Sequence, residues 1–233
     1  FGNERLLQER GVNLDSLNEL MAKVRTSIAT PVLLARAGTL SGILLIEDQI
    51  KHDSAETILA LKKLNIRTVM LSGDRQASAE AVASMVGIDE VVAEVLPQEK
   101  EQVIRKLQSA GEKVAMVGDG LNDAPSLARA DVGFAIGNGT DVAIESADVT
   151  LMGASIRGVP VAIELSRATV KNIWQNLFGA FIYNSIGIPV AAGIFYPVSG
   201  LLLNPMVAGA AMAMSSVTVV SNANRLRLWK PGR

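Results

Sequence analysis

Asp119 and Asp123 stand four residues apart in the string Gly118-Asp119-Gly120-Leu121-Asn122-Asp123-Ala124-Pro125, directly after the apolar run Val114–Val117. Two carboxylates on a glycine-freed turn can approach one hard divalent cation, and Mg²⁺ prefers such oxygen ligands together with phosphate oxygens. Asp119 is the expected direct or water-bridged ligand and Asp123 its hydrogen-bonded support. A solvated turn is built from the same Gly, Asn and Asp residues, so the surroundings have to decide. Ser72-Gly73-Asp74 follows the apolar run Thr68–Leu71, where a hydroxyl and a glycine amide can hydrogen-bond a phosphoryl oxygen. Lys100, in Pro97-Gln98-Glu99-Lys100, can set a point charge against phosphate and carboxylates. Each is commonplace alone, a turn or a surface lysine. Their order, hydroxyl then lysine then paired aspartates, is what raises them.

A second group lies in apolar surroundings: Tyr183-Asn184, then Met212-Ala213-Met214-Ser215-Ser216. Met212 and Ser216, at i and i+4, share one helical face. Thioether sulfur is a soft ligand suited to Cu(I), whereas Mg²⁺ or Ca²⁺ would call for carboxylates, which these segments lack. Methionine packing and serine helix contacts use the same residues.

Elements in a definite order must position these groups. Pro31–Glu47 reads as two apolar strands joined near Gly38, preceded by a helix-like stretch over Leu14–Arg25. From Asp53 the pattern alternates. Asp53 and Glu56 have the spacing of a capping box at the start of helix Ser54–Leu64. Strand Thr68–Leu71, helix Ala77–Val86, strand Val91–Val92, helix Gln98–Gln108, strand Val114–Val117, a short helix after Pro125, and strands Val132–Ala135 and Val149–Leu151 follow. Short apolar strands separated by amphipathic helices predict an α/β fold with a parallel sheet covered on both faces. The loops at the carboxyl ends of such strands face the ligand crevice.

Hydrophobic residues make up 49% of the 233, more than a soluble chain usually carries. Leu177–Phe195 and Leu201–Val220 are nearly uncharged and about as long as the roughly 20 residues that cross a bilayer core. They are expected to be two transmembrane helices, joined by a turn at Tyr196, Pro197, Ser199 and Gly200. Arg167, Lys171, Arg225, Arg227 and Lys230 flank their outer ends, which puts both ends in the cytosol. A net charge of −1 gives no basic face for nucleic acid, and the absence of cysteine removes disulfides, thiolate ligands and a thiol nucleophile. Phe1–Arg10 is polar and does not read as a signal peptide, so the chain is expected to start partway through a larger protein.

MLSGD, LPQEK, MVGDGLNDAP and VGFAIGNGTDVAIESADVTLM resemble the phosphorylation domain of P-type ATPases, members of the haloacid-dehalogenase superfamily. The resemblance implies a phosphate-binding hydroxyl at Ser72, usually threonine, with Gly73 and Asp74 beside it. It implies a charge-offsetting lysine at Lys100, a Mg²⁺ ligand at Asp119 with Asn122 and Asp123 as its partners, and ATP as phosphoryl donor. Gly137–Thr140 resembles the family's glycine-bearing loop. Tyr-Asn followed by Met-x-x-Ser-Ser resembles the last two helices of copper-transporting heavy-metal ATPases, and the zinc and cadmium branch is expected to show a lysine and an aspartate there instead. Tyr183, Asn184, Met212 and Ser216 are thereby implied to hold transported Cu(I).

Residues 1–45 resemble the tail of a nucleotide-binding domain, 46–166 the carboxyl-terminal portion of the phosphorylation domain, and 167–233 the last two membrane helices. Implied partners are a lipid bilayer, an upstream half of the ATPase and, as a further candidate, a copper chaperone; the implied location is the plasma or inner membrane, multi-pass. The family's acceptor aspartate stands in Asp-Lys-Thr-Gly-Thr, and no such string occurs in these 233 residues. The sheet is therefore expected to lack its central acceptor strand. His52, the only histidine, is expected to be exposed. Two readings stay open: part of an ATP-driven Cu(I) exporter, or a truncated, non-catalytic membrane fragment that binds copper or complements an upstream half.

Overall fold

The computed structural model describes the chain except residues 3, 15–29, 47–48, 120, 138–143, 154, 195, 201–203 and 233. The helix expected over Leu14–Arg25 lies almost wholly outside the described residues. The chain forms two compact units, Phe1–Pro160 and Val161–Arg233.

The first unit opens with helix α1 (Glu4–Glu9) and an antiparallel hairpin, β1 (Thr30–Arg36) and β2 (Thr39–Ile46). The hairpin turns on Ala37 and Gly38 at φ 51° and 75°. A two-residue type I′ turn needs positive φ at both central positions, because only that twist matches the strands. Leu7, Val12 and Leu33 form a small core beneath it.

The alternating segment follows as helix α2 (Ser54–Lys63), strand β3 (Val69–Leu71), helix α3 (Gln76–Val86), strand β4 (Glu90–Val92), helix α4 (Pro97–Ser109), strand β5 (Ala115–Gly118), a 3₁₀ turn (Leu121–Asp123), helix α5 (Ala124–Arg129), and strands β6 (Val132–Ile136) and β7 (Val149–Leu151). All its strand pairs are parallel, as short apolar strands between amphipathic helices dictate. The pairing nevertheless falls into two sheets, β3–β4 and β5–β6–β7. Among the described residues no strand pairs with the second edge of β3 or of β5. In β6, paired on both sides, Gly133 to Ile136 are all buried.

The start of each sheet is tied by a carboxylate. Asp89 Oδ2 accepts from Thr68 N at 2.8 Å and Thr68 Oγ1 at 2.7 Å, and Lys62 Nζ lies 2.8 Å from its Oδ1. Asp131 likewise accepts from Val114 N, Gln108 Nε2 and Lys113 Nζ. These aspartates fasten the amino ends of the strands and leave the carboxyl ends to the residues picked out for chemistry.

One expectation is corrected. Asp53 does not cap α2: it sits at φ −91°, ψ −4°, and its side chain makes no cap hydrogen bond. An N-cap needs extended backbone so that its oxygen can reach the free amides. Here the Asp53 carboxylate accepts from Ser155 Oγ at 2.5 Å, and Glu56 pairs with Arg157. Both acidic groups are drawn to a segment about a hundred residues away. His52 is exposed.

The second unit consists mainly of helix α6, which begins at Gly158 and runs to Ala191, a short helix α7 (Tyr196–Ser199) and helix α8 (Pro205–Asn224). Among the described residues no helix is long and apolar enough to cross a membrane. In α8, 20 residues long, Ser215, Ser216, Thr218, Ser221 and Asn222 dilute the apolar character, and the three leucines at 201–203 lie outside the described residues. In α6 the apolar part is preceded by a polar half, and Pro189 interrupts the hydrogen-bond ladder near its end.

Candidate phosphoryl and divalent-cation site

The carboxyl end of β5 is Gly118, and the chain turns there into Asp119 and the 3₁₀ turn. Asp119 is exposed and has no partner among the described residues. Asn122 is exposed beside it, whereas Asp123 is buried, 8% accessible. Glycine at 118 has a steric reason: a Cβ there would stand 2.7 Å from Asp123 Cβ and 3.0 Å from its Oδ2. The strand end and the second carboxylate therefore touch, which holds Asp123 inward while Asp119 projects to solvent. Gly120 lies outside the described residues.

Asp123 is not idle. Lys100 Nζ donates to its Oδ1 at 2.8 Å, with 20% of the lysine side chain and 12% of the aspartate side chain exposed. Lys100 reaches it from the first turn of α4, which starts sharply because Pro97 presets φ and Glu99 accepts from Leu96 N at 2.8 Å. The α4 entry is in turn hooked to β3, since Val95 N donates to Ser72 O at 3.0 Å and Glu94 N to Asp74 O at 2.9 Å. Glu94 takes φ 56° to make that turn. Ser72, Lys100 and Asp123 thus belong to one chain of contacts linking both sheets. The Ser72 hydroxyl donates to Asp74 Oδ2 at 2.8 Å and accepts from Asp74 N at 3.1 Å. Gly73 has room for a side chain, 3.6 Å from Val95 O.

The donor set is all hard oxygen: two carboxylates within five residues, one of them without a partner among the described residues. Among the described residues no group of three or more His, Cys, Asp or Glu could hold a metal by itself. Mg²⁺ is ordinarily held by one or two carboxylates plus phosphate oxygens and water. Asp119, backed by Asp123, fits that pattern and does not fit a closed structural metal site.

In the second unit, Asn184 Nδ2 donates to Ala180 O at 3.2 Å and Ser216 Oγ to Met212 O at 3.3 Å, each on its own helix. Tyr183 and Met212 are exposed, and among the described residues no hydrogen bond joins Tyr183 or Asn184 to Met212 or Ser216. The polar contacts between α6 and α8 lie elsewhere. Asn172 Nδ2 donates to Asn222 O at 2.7 Å, and Asn222 Nδ2 donates to Asn176 Oδ1 at 2.9 Å. Sequence reasoning passed over this amide cluster, although Asn172 and Asn176, at i and i+4 in an apolar context, were its available signal.

The haloacid dehalogenase-like hydrolase family model matches residues 1–131. A copper-exporting P-type ATPase of Vibrio cholerae is 55% identical over 229 residues, 98% of this chain and 25% of that protein. A silver exporting P-type ATPase of Salmonella typhimurium is 50% identical over 233 residues, 100% of this chain and 28% of that protein. The crystal structure of a zinc-transporting PIB-type ATPase in the E2.Pi state superposes with TM-score 0.77 at 35% identity, covering 92% of this chain and 34% of that one. The chain spans about a quarter of the length of the curated relatives it matches. By the family match, and by homology with copper-exporting P-type ATPases over nearly all its length, the chain belongs to the haloacid dehalogenase-like hydrolases.

Proposed function

We propose that the chain supplies the Mg²⁺ and phosphoryl side of the phosphorylation site, and part of the metal path, of an ATP-driven Cu(I) exporter. The observation that carries this reading is the Lys100–Asp123 pair beside the exposed Asp119 at the end of a parallel strand. Lys100 offsets charge where a phosphoryl group sits, and fixes Asp123 so that the turn presents Asp119 outward. The Ser72 hydroxyl donates to Asp74 at 2.8 Å, a bond that a phosphoryl oxygen would take over as acceptor. Asp119, backed by Asp123, would hold Mg²⁺, whose charge would offset that of the phosphate oxygens.

The acceptor aspartate comes from an upstream segment, the proposed partner, whose strand would fit the edges of β3 and β5 that are unpaired among the described residues. Two membrane helices are supported by the absence of any charged residue between Lys171 and Arg225, and by exposed apolar side chains such as Phe178, Ile186, Val207 and Val217. Cu(I) rather than a harder divalent ion is supported by the same lack of carboxylates, leaving Asn184, Met212 and Ser216, with Tyr183, as the available groups. Co-expression with an upstream half carrying Asp-Lys-Thr-Gly-Thr, in a copper-sensitive host, tests the reading. Restored copper tolerance is expected; tolerance unchanged when both parts are present in the membrane counts against it.

A further inference from the structure

The segment that leads into α6 is fastened to the start of α2 by two arms. In the first, Asp53 Oδ2 accepts from Ser155 Oγ at 2.5 Å; Asp53 is 5% exposed, and its buried Oδ1 has no partner among the described residues. The same Ser155 oxygen accepts from Arg157 N at 3.2 Å. In the second arm Arg157 Nη2 donates to both carboxylate oxygens of Glu56, at 2.6 Å each. The first turn of α6 is also pressed on the sheet. A Cβ on Gly158 would stand 3.1 Å from Leu151 of β7, and Val159 is 4% exposed.

The geometry points to a two-armed latch, Asp53–Ser155 and Glu56–Arg157, that positions the root of α6 on the frame carrying the phosphoryl site. The arms are unequal. Glu56 and Arg157 are more than half exposed, so their ion pair contributes little by itself and mainly sets orientation through its forked geometry. Asp53 is buried, and Ser155 is the only donor its carboxylate has among the described side chains. A buried carboxylate deprived of its donor keeps its desolvation cost, so Ser155 is the side chain on which the latch depends. The Ser155 hydroxyl also holds the Asp53 carboxyl below its ordinary range.

Hydrogen exchange on the full chain in detergent tests the latch without requiring ATP or metal. Ser155→Ala is expected to speed exchange of the amides of residues 155–160 by roughly tenfold, the factor of one hydrogen bond to a charged group, while β5 and β6 keep their protection. Ser155→Thr, which keeps the hydroxyl, is expected to restore wild-type exchange. R157E alone should accelerate the same amides by a smaller factor, and the double change E56R/R157E should reverse it. Unchanged exchange in Ser155→Ala, equal acceleration across the whole sheet, or no rescue by Ser155→Thr would each overturn the proposal. If the latch behaves as expected but the chain and an upstream half form no phosphoenzyme, the transport reading fails and the positioning role stands.

Discussion

Lys100 Nζ and Asp123 Oδ1 meet at 2.8 Å between the first turn of α4 and the turn after β5, and neither side chain is more than one-fifth exposed. This contact joins the element after β4 to the element after β5, on opposite sides of the interruption between the two sheets. Removing the ammonium leaves a largely buried carboxylate uncompensated. Lys100→Ala is therefore expected to destabilise the first unit by about 1–3 kcal/mol, less than the roughly 3–5 kcal/mol of a fully buried pair because some solvent reaches this one. Lys100→Ala/Asp123→Asn should cost less than the sum of the single changes. Urea unfolding followed by circular dichroism measures both.

Gly118 and Gly73 make a matched contrast. Ala at 118 would drive Cβ into Asp123 at 2.7 Å, and Ala at 73 meets only Val95 O at 3.6 Å. Gly118→Ala is expected to lose about 1–3 kcal/mol and to abolish Mg²⁺ binding measured by calorimetry, because the Asp119–Asp123 turn must move. Gly73→Ala should stay within about 0.5 kcal/mol of wild type.

The acid limb of stability is assigned to the strand-start aspartates. Lys62 and the Thr68 amide and hydroxyl lower Asp89 from 3.8 to about 2, and Lys113, the Val114 amide and Gln108 lower Asp131 further still. Both folded values lie below the ordinary one, so the stability they give is present above pH 4 and is lost as pH falls through the folded values. Asp89→Asn and Asp131→Asn should each lower stability at pH 7 and flatten its fall between about pH 4 and 2. Thermal melting across that range reads the slope.

Much of the first unit was legible in sequence because its determinants are local. Runs such as Val-Ala-Met-Val and Val-Gly-Phe-Ala between amphipathic helices give strands within a residue or two of those found, and the hairpin expected to turn near Gly38 turns on Ala37 and Gly38. Ser72, Lys100 and Asp119 were singled out because they follow successive short apolar strands; of the residues named with them, the structure joins Lys100 to Asp123. Asp53 and Glu56 were misread because spacing satisfies a capping box locally, whereas Ser155 and Arg157, far along the chain, compete for both carboxylates. The Asn172–Asn222–Asn176 cluster was missed for the same reason: which amides meet depends on how α6 and α8 are aligned, which no single helix encodes.

That cluster yields its own expectation. Asn222→Ala removes the donor to Asn176 and should weaken the α6–α8 pairing by about 0.6–2 kcal/mol. Disulfide crosslinking between cysteines placed at Gln175 and Ser221, slower in the Asn222→Ala background, would register it.

The proposed Mg²⁺ and phosphoryl side of an aspartyl-phosphate site, made of Lys100, Asp119 and Asp123, depends above all on Asp119. The direct measurement is acid-stable incorporation of label from γ-³²P-ATP into an upstream segment carrying Asp-Lys-Thr-Gly-Thr, reconstituted with this chain, Mg²⁺ and Cu(I). Label is predicted with the wild-type chain, with a loss of about a hundredfold or more for Asp119→Ala. Label unaffected by Asp119→Ala, or none with the wild-type chain, would contradict it.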